Sequence, residues 1–140
     1  MIYHGNRIKL KEGISQEQIE QALEIIHEQG RTIPAVKSYF VGREYGGAFE
    51  WNAFFVLEDL EAYEEYLNHP AHTASERFAL PLLEKFEAYD ITDDPDPGFG
   101  AEVARLQRRH YAADPELVRL VSALPSHTGS SALPDLAPEV

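Results

Sequence analysis

The strongest constraint on this chain is the order in which its hydrophobic period changes. Ile2, His4, Asn6, Ile8 and Leu10 alternate with Tyr3, Gly5, Arg7, Lys9 and Lys11, the period-two pattern of a strand with two different faces. After Gly13 the spacing becomes helical. Ser15-Gln16-Glu17-Gln18 has the form of a capping box, and Ile19, Ala22, Leu23 and Ile26 follow until Gly30 stops the helix. Ile33-Pro34 opens a second alternating stretch that runs to Gly42, and Gly46-Gly47 supplies a turn. Phe49, Trp51, Ala53, Phe55 and Leu57 then share one strand face, while Phe54 and Val56 make the other face partly apolar. Asp59 caps a short helix carrying Leu60, Tyr63 and Leu67. Phe78, Leu82 and Leu83 mark a further helical stretch that Pro81 should kink or divide. Phe86 to Ile91 reads as a closing strand.

The resulting order, β-α-β-β-α-β, is the split pattern of a ferredoxin-like α+β sandwich with a four-stranded antiparallel sheet. Residues 1–94 form that domain. From Pro95 the composition shifts, and Pro95, Pro97, Pro115, Pro125, Pro134 and Pro138 all lie at or beyond that point. Residues 95–125 are expected to be a helical extension, with helices near Ala101–His110 and Pro115–Leu124, packing through Phe99, Val103, Leu106, Leu117 and Leu120. Residues 126–140, rich in Ser, Pro and Gly, are expected to be a flexible, disordered tail.

Composition excludes several classes of function. There is no cysteine, hence no disulfide framework, thiolate nucleophile or cysteine metal site. The net charge of −12 opposes binding to a phosphate backbone, so no nucleic-acid partner is expected. The Arg105, Arg108 and Arg109 cluster reads as the solvated side of a short helix. No signal peptide and no run long enough to span a membrane is visible, which makes a cytoplasmic protein the expectation.

Chemistry concentrates in Tyr66-Leu67-Asn68-His69-Pro70-Ala71-His72, a phenol and two imidazoles at a helix–helix junction. Pro70 holds His69 extended and suits the first turn of a new helix, so the junction is stiff enough to fix a proton-transfer site. The plainer reading is a polar turn with exposed histidines. His4 shares a strand face with Ile8 and Leu10, and Trp51 shares one with Ala53 and Phe55. If those faces meet the helices, they line one apolar pocket. A metal bound by His69 and His72 is a weaker alternative, because no carboxylate or third histidine is evident nearby. No metal ligand and no cofactor is therefore assigned.

The β-α-β-β-α-β order together with Tyr66 and His69-Pro70-Ala71-His72 resembles the stress-responsive dimeric α+β barrel (Dabb) family over about residues 2–94. Ile33-Pro34-Ala35-Val36, Phe55 through Tyr66, and Tyr89-Asp90-Ile91 are similar to other parts of its pattern. The resemblance implies a homodimer in which two sheets pair into a barrel. It also implies a small-molecule ligand or substrate, since members include olivetolic acid cyclase, a polyketide cyclase without metal or cofactor, and a plant hydroxynitrile lyase. Carried over by residue, His72 matches the cyclase's base and Tyr66 its hydrogen-bonding tyrosine. His69 matches the motif's first, structural histidine, and His4 a pocket histidine on the first strand. Trp51 stands where the cyclase has a further histidine, and an indole cannot relay a proton. The expectation is thus a cofactor-independent cyclase-, lyase- or isomerase-type enzyme, with catalytic His72 and Tyr66 and a pocket lined by His4, Ile8, Trp51, Phe55 and His69. The alternative is a non-catalytic stress-related dimer that binds a small ligand.

Overall fold

The computed structural model describes residues 1–134 and residue 136. Strand β1 (Ile2–Leu10) leads into helix α1 (Gln16–Thr32). The capping box forms as spaced: Gln18 N donates to Ser15 Oγ and Ser15 N donates to Gln18 Oε1, both at 3.1 Å. Helix α1 runs two residues past Gly30 rather than stopping there. A Cβ at Gly30 would lie 2.1 Å from the Tyr39 ring, so this glycine serves close helix–strand packing and not termination.

Strands β2 (Val36–Arg43) and β3 (Trp51–Leu57) form the expected hairpin, with Phe40 opposite Phe54. Helix α2 (Leu60–Asn68) is capped by Asp59, whose Oδ1 accepts from Ala62 N at 2.9 Å. Helix α3 (Pro70–Ala79) follows after a single residue. Pro81 divides the segment as its missing N–H requires, and Leu80–Leu82 form a 3-10 turn before strand β4 (Leu83–Thr92). Two further helices, α4 (Phe99–Ala112) and α5 (Pro115–Ser122), cover the helical side, α4 lying against α2 and α5 against α4 and α3.

The sheet order is β2-β3-β1-β4-β5, and the first four strands pair antiparallel, which is the ferredoxin-like arrangement. The fifth strand corrects the expectation of a four-stranded sheet followed by a flexible tail. Ser126–Gly129 form β5, parallel to β4. Ser131 is buried and its hydroxyl meets His127 Nε2 at 2.8 Å. The expected tail thus contains an ordered sheet edge. Its residues 135 and 137–140 lie outside the described residues.

The helices bury the inner sheet face, where Phe55 and Leu57 are fully enclosed with Ile2, Tyr63, Val103 and Leu117. Each such aliphatic or aromatic side chain contributes roughly 1.5–3 kcal/mol by leaving water. The outer face has no such cover. Tyr3, Phe40 and Ile91 on it are 45%, 60% and 61% exposed.

Gly129 joins β5 to the rest of the sheet. Its φ is +87°, and an added Cβ would lie 1.8 Å from the Ala88 carbonyl oxygen, so neither backbone nor space admits a side chain. Gly129→Ala should cost about 1–3 kcal/mol in denaturant unfolding and abolish hydrogen-exchange protection of residues 126–129, leaving β1–β4 protected. An unchanged β5 protection pattern would contradict this register.

The buried pocket as candidate functional site

Between the inner sheet face and the helices lies a cavity of about 70 Å³. His4, Ile8, Trp51, Phe55, Tyr66 and His72 all line it. His69 does not. Its Nδ1 instead accepts from Ala71 N at 3.0 Å, which makes it the N-cap of α3. Trp51 closes the wall beneath Arg43, whose guanidinium carbon stands 4.5 Å from the indole centroid.

One polar network sits on the sheet. His4 is directly opposite Asp90 across β1 and β4, and its Nδ1 lies 2.8 Å from Asp90 Oδ1. The carboxylate only accepts here, so Nδ1 carries the proton and Nε2 is the nitrogen outside this contact. Tyr63 donates to Asp90 Oδ2 at 3.1 Å, and Gln107 of α4 donates to Tyr63 Oη at 3.0 Å. Burial, aided by the Asp90 charge, pushes the Tyr63 hydroxyl well above its usual range.

A second network centres on Glu76, one helical turn after His72. His72 Nδ1 lies 3.1 Å from Gln29 Oε1, and Gln29 Nε2 donates to Ser75 Oγ at 2.8 Å. His72 Nε2 faces Glu76 Oε1 at 3.3 Å. His110 of α4 approaches the same oxygen with Nε2 at 2.7 Å, while its Nδ1 lies 3.2 Å from Asn68 Oδ1. Tyr111 also hydrogen-bonds Glu76. Burial holds His72 well below the ordinary histidine value, with the charge of His110 adding to the effect. Burial likewise raises Glu76, against the opposing pull of His110 and Tyr111.

Tyr66 stands between the networks. Its ring lies 5.5 Å from that of His4 and 4.5 Å from that of His72. Burial first, then the Glu76 charge, drives its pKa well up, partly offset by a hydrogen bond from Asn6. It is a neutral phenol able to donate.

Glu76 and His110 correct the view that His72 lacks a nearby carboxylate and third histidine. The ligand-capable atoms of His72, Glu76 and His110 lie within 4.8 Å of one another. The His72/Glu76 spacing of four on a helix was a readable signal. The Asp90 partnership needed the β1–β4 register, and no local pattern pointed to His110 or Gln107.

This fold and pocket define a ferredoxin-like domain of a known kind. Residues 2–93 match the Stress responsive A/B Barrel Domain family, and the chain belongs to it. The match ends before α4, so Gln107, His110 and Tyr111 belong to an extension of the family domain. No curated protein matches the chain in sequence. Among solved structures, a dimeric ferredoxin-like protein of unknown function from Thermobifida fusca superposes with a TM-score of 0.59 at 22% identity, covering 65% of this chain and 89% of that one. The hydroxynitrile lyase of Passiflora edulis gives 0.60 at 17% identity, over 68% and 94%. A mutant form of a cofactor-independent oxygenase from Streptomyces nogalater gives 0.54 at 16% identity, over 69% and 95%. Among the described residues no helix is long and apolar enough to cross a membrane.

The histidine shifts carry a pH dependence of known sign. His72 lies well below 6.5, and burial lowers His127 to about 4. The unfolded chain therefore takes up protons first as pH falls below 6.5, and stability falls with it until the folded histidines charge. Glu76, raised above 4.5, acts in the opposite sense as pH rises through its own range. Denaturant unfolding should show a loss between pH 6.5 and 5, and His127→Gln should flatten that loss by about 1 kcal/mol, allowing for its partial exposure. An identical slope in the variant would refute the buried neutral state of His127.

Proposed function

We propose that this protein is an enzyme that moves a proton on a small, largely apolar carbonyl compound inside the cavity. The observation carrying this reading is the His4–Asp90 contact of 2.8 Å on a wall of an apolar cavity, beside the neutral phenol of Tyr66. Asp90 fixes the tautomer and leaves His4 Nε2 as the basic nitrogen. That nitrogen would remove a proton from the carbon next to the carbonyl, with Asp90 balancing the imidazolium formed. Tyr66 would donate to the developing enolate oxygen. Cyclisation, lyase and isomerase outcomes differ in what the carbanion does next.

The base role expected for His72 suits His4 better, because His72 directs one nitrogen to Gln29 and the other to Glu76. A cavity of about 70 Å³ favours a small substrate and disfavours a long polyketide. The activities of two structural relatives, a lyase and an oxygenase, support a small-molecule enzyme. The proton step itself draws on side chains alone. The cavity would equally hold a small ligand without turnover, the reading that takes over if no exchange is found.

The same reading includes a homodimer formed through the outer sheet face, where Tyr3, Phe40 and Ile91 leave apolar surface exposed. Light scattering at micromolar concentration should give twice the chain mass, and Phe40→Asp should shift it toward the single chain. A monomeric wild type would sink the dimer.

Exchange of α-protons for deuterium, followed by NMR on a panel of small ketones and aldehydes, tests the chemistry without knowledge of the product. His4→Gln should slow exchange by about 10²–10⁴-fold. Tyr66→Phe, which keeps the ring, should cost about 2–4 kcal/mol of transition-state stabilisation. Full activity in both variants would overturn the reading.

A further inference from the structure

We propose that His72, Glu76 and His110 form a binding site for a divalent first-row transition ion, through two imidazole Nε2 atoms and one carboxylate oxygen. The inference stands apart from the proton-transfer reading, which uses His4 and Tyr66.

The two histidines are oriented in the same way. Amide oxygens only accept, so Gln29 Oε1 at 3.1 Å and Asn68 Oδ1 at 3.2 Å require the proton on Nδ1 of His72 and His110, respectively. The donation of Gln29 Nε2 to Ser75 keeps the Gln29 carbonyl turned toward His72. Both Nε2 atoms are then directed at one carboxylate oxygen, at 3.3 and 2.7 Å. A single proton can satisfy one of these two nitrogens against Glu76 Oε1, but not both. A cation satisfies all three atoms at once. Metal-bound histidines characteristically donate their second N–H to a carbonyl or carboxylate, and here both do.

The spacing suits such an ion. Bonds of about 2.0–2.2 Å in a tetrahedral site set ligand atoms roughly 3.4 Å apart. The His72–Glu76 separation of 3.3 Å already fits, and the 2.7 Å His110 contact needs to open modestly. His72 and Glu76 also line the cavity, so a fourth position opens toward it. Two imidazoles and a carboxylate, without sulfur, select Zn²⁺, Co²⁺, Fe²⁺ or Ni²⁺ over Mg²⁺ or Ca²⁺, which take oxygen ligands. All three side chains are nearly enclosed: that of His110 is 3% exposed and those of His72 and Glu76 are each 11% exposed.

The test uses the full chain, purified without a histidine tag and stripped with a chelator. Titration with Co²⁺ should give one ion per protomer and visible d–d absorption of low coordination number. Zn²⁺ should abolish that absorption, and the melting temperature should rise with either ion. Mg²⁺ should do none of this. Glu76→Gln should weaken Co²⁺ at least tenfold. Asn68→Ala, which removes the acceptor behind His110 without touching the ion, should weaken it about 10–100-fold. Should Glu76→Gln fail to fold, the Asn68→Ala affinity and the wild-type stoichiometry decide. Stoichiometry far below one, or Co²⁺ affinity unchanged in a folded Glu76→Gln or Asn68→Ala variant, would overturn the site.

Discussion

A carboxylate taken out of water must be met by donors, and Glu76 is the point where this requirement organises the molecule. Its side chain lies between α3 and α4 and draws His110 to 2.7 Å from across that boundary. Tyr111 supplies a second donor from the same helix. Removing the donor of a buried carboxylate leaves it unsatisfied, at a cost of about 1–3 kcal/mol or more. The pairing therefore commits α4 to one position over the family domain. Once α4 is there, Gln107 reaches Tyr63, and Val103 and Leu106 enter the core. The extension is a wall of the pocket.

Four rings run in succession from the sheet to the extension: His4, Tyr66, His72 and His110, with neighbouring centroids 5.5, 4.5 and 5.4 Å apart. A carboxylate stands at each end, Asp90 beside His4 and Glu76 beside His72 and His110. Both charges disfavour ionisation of Tyr66, so the central phenol stays a donor. At the sheet end one imidazole is oriented by a carboxylate, and at the helix end two imidazoles converge on one. His72 and His4 thus stand in chemically different surroundings although both are buried histidines.

Much of this was legible from residue spacing. Alternation at Ile2–Leu10, the Ser15 capping box and the Gly46-Gly47 turn specify local structure through short-range physics, and β1, α1 and the β2–β3 hairpin follow them. Pro81 divided its helix for the same local reason. Gly30 misled because a glycine read as a helix stop also permits close approach, and here the Tyr39 ring occupies that space. Ser126–Gly129 misled because a short polar edge strand lacks apolar alternation; its place depends on pairing with β4, a partner far earlier in the chain. The pocket was half legible. His4, Trp51, Phe55, Tyr66 and His72 follow from strand and helix faces, whereas Asp90 depends on strand register and His110 on the docking of a helix outside the family domain.

The measurement that bears most directly on this account is a double-mutant cycle between Glu76 and His110, read by denaturant unfolding of the full chain. Glu76→Gln and His110→Gln keep polarity while removing the imidazole–carboxylate contact. If Glu76 fastens the extension to the family domain, the two changes should be strongly non-additive, with a coupling energy of about 1–3 kcal/mol. Additive effects, with coupling indistinguishable from zero, would show that the extension docks by apolar packing alone and that Glu76 does not organise the pocket.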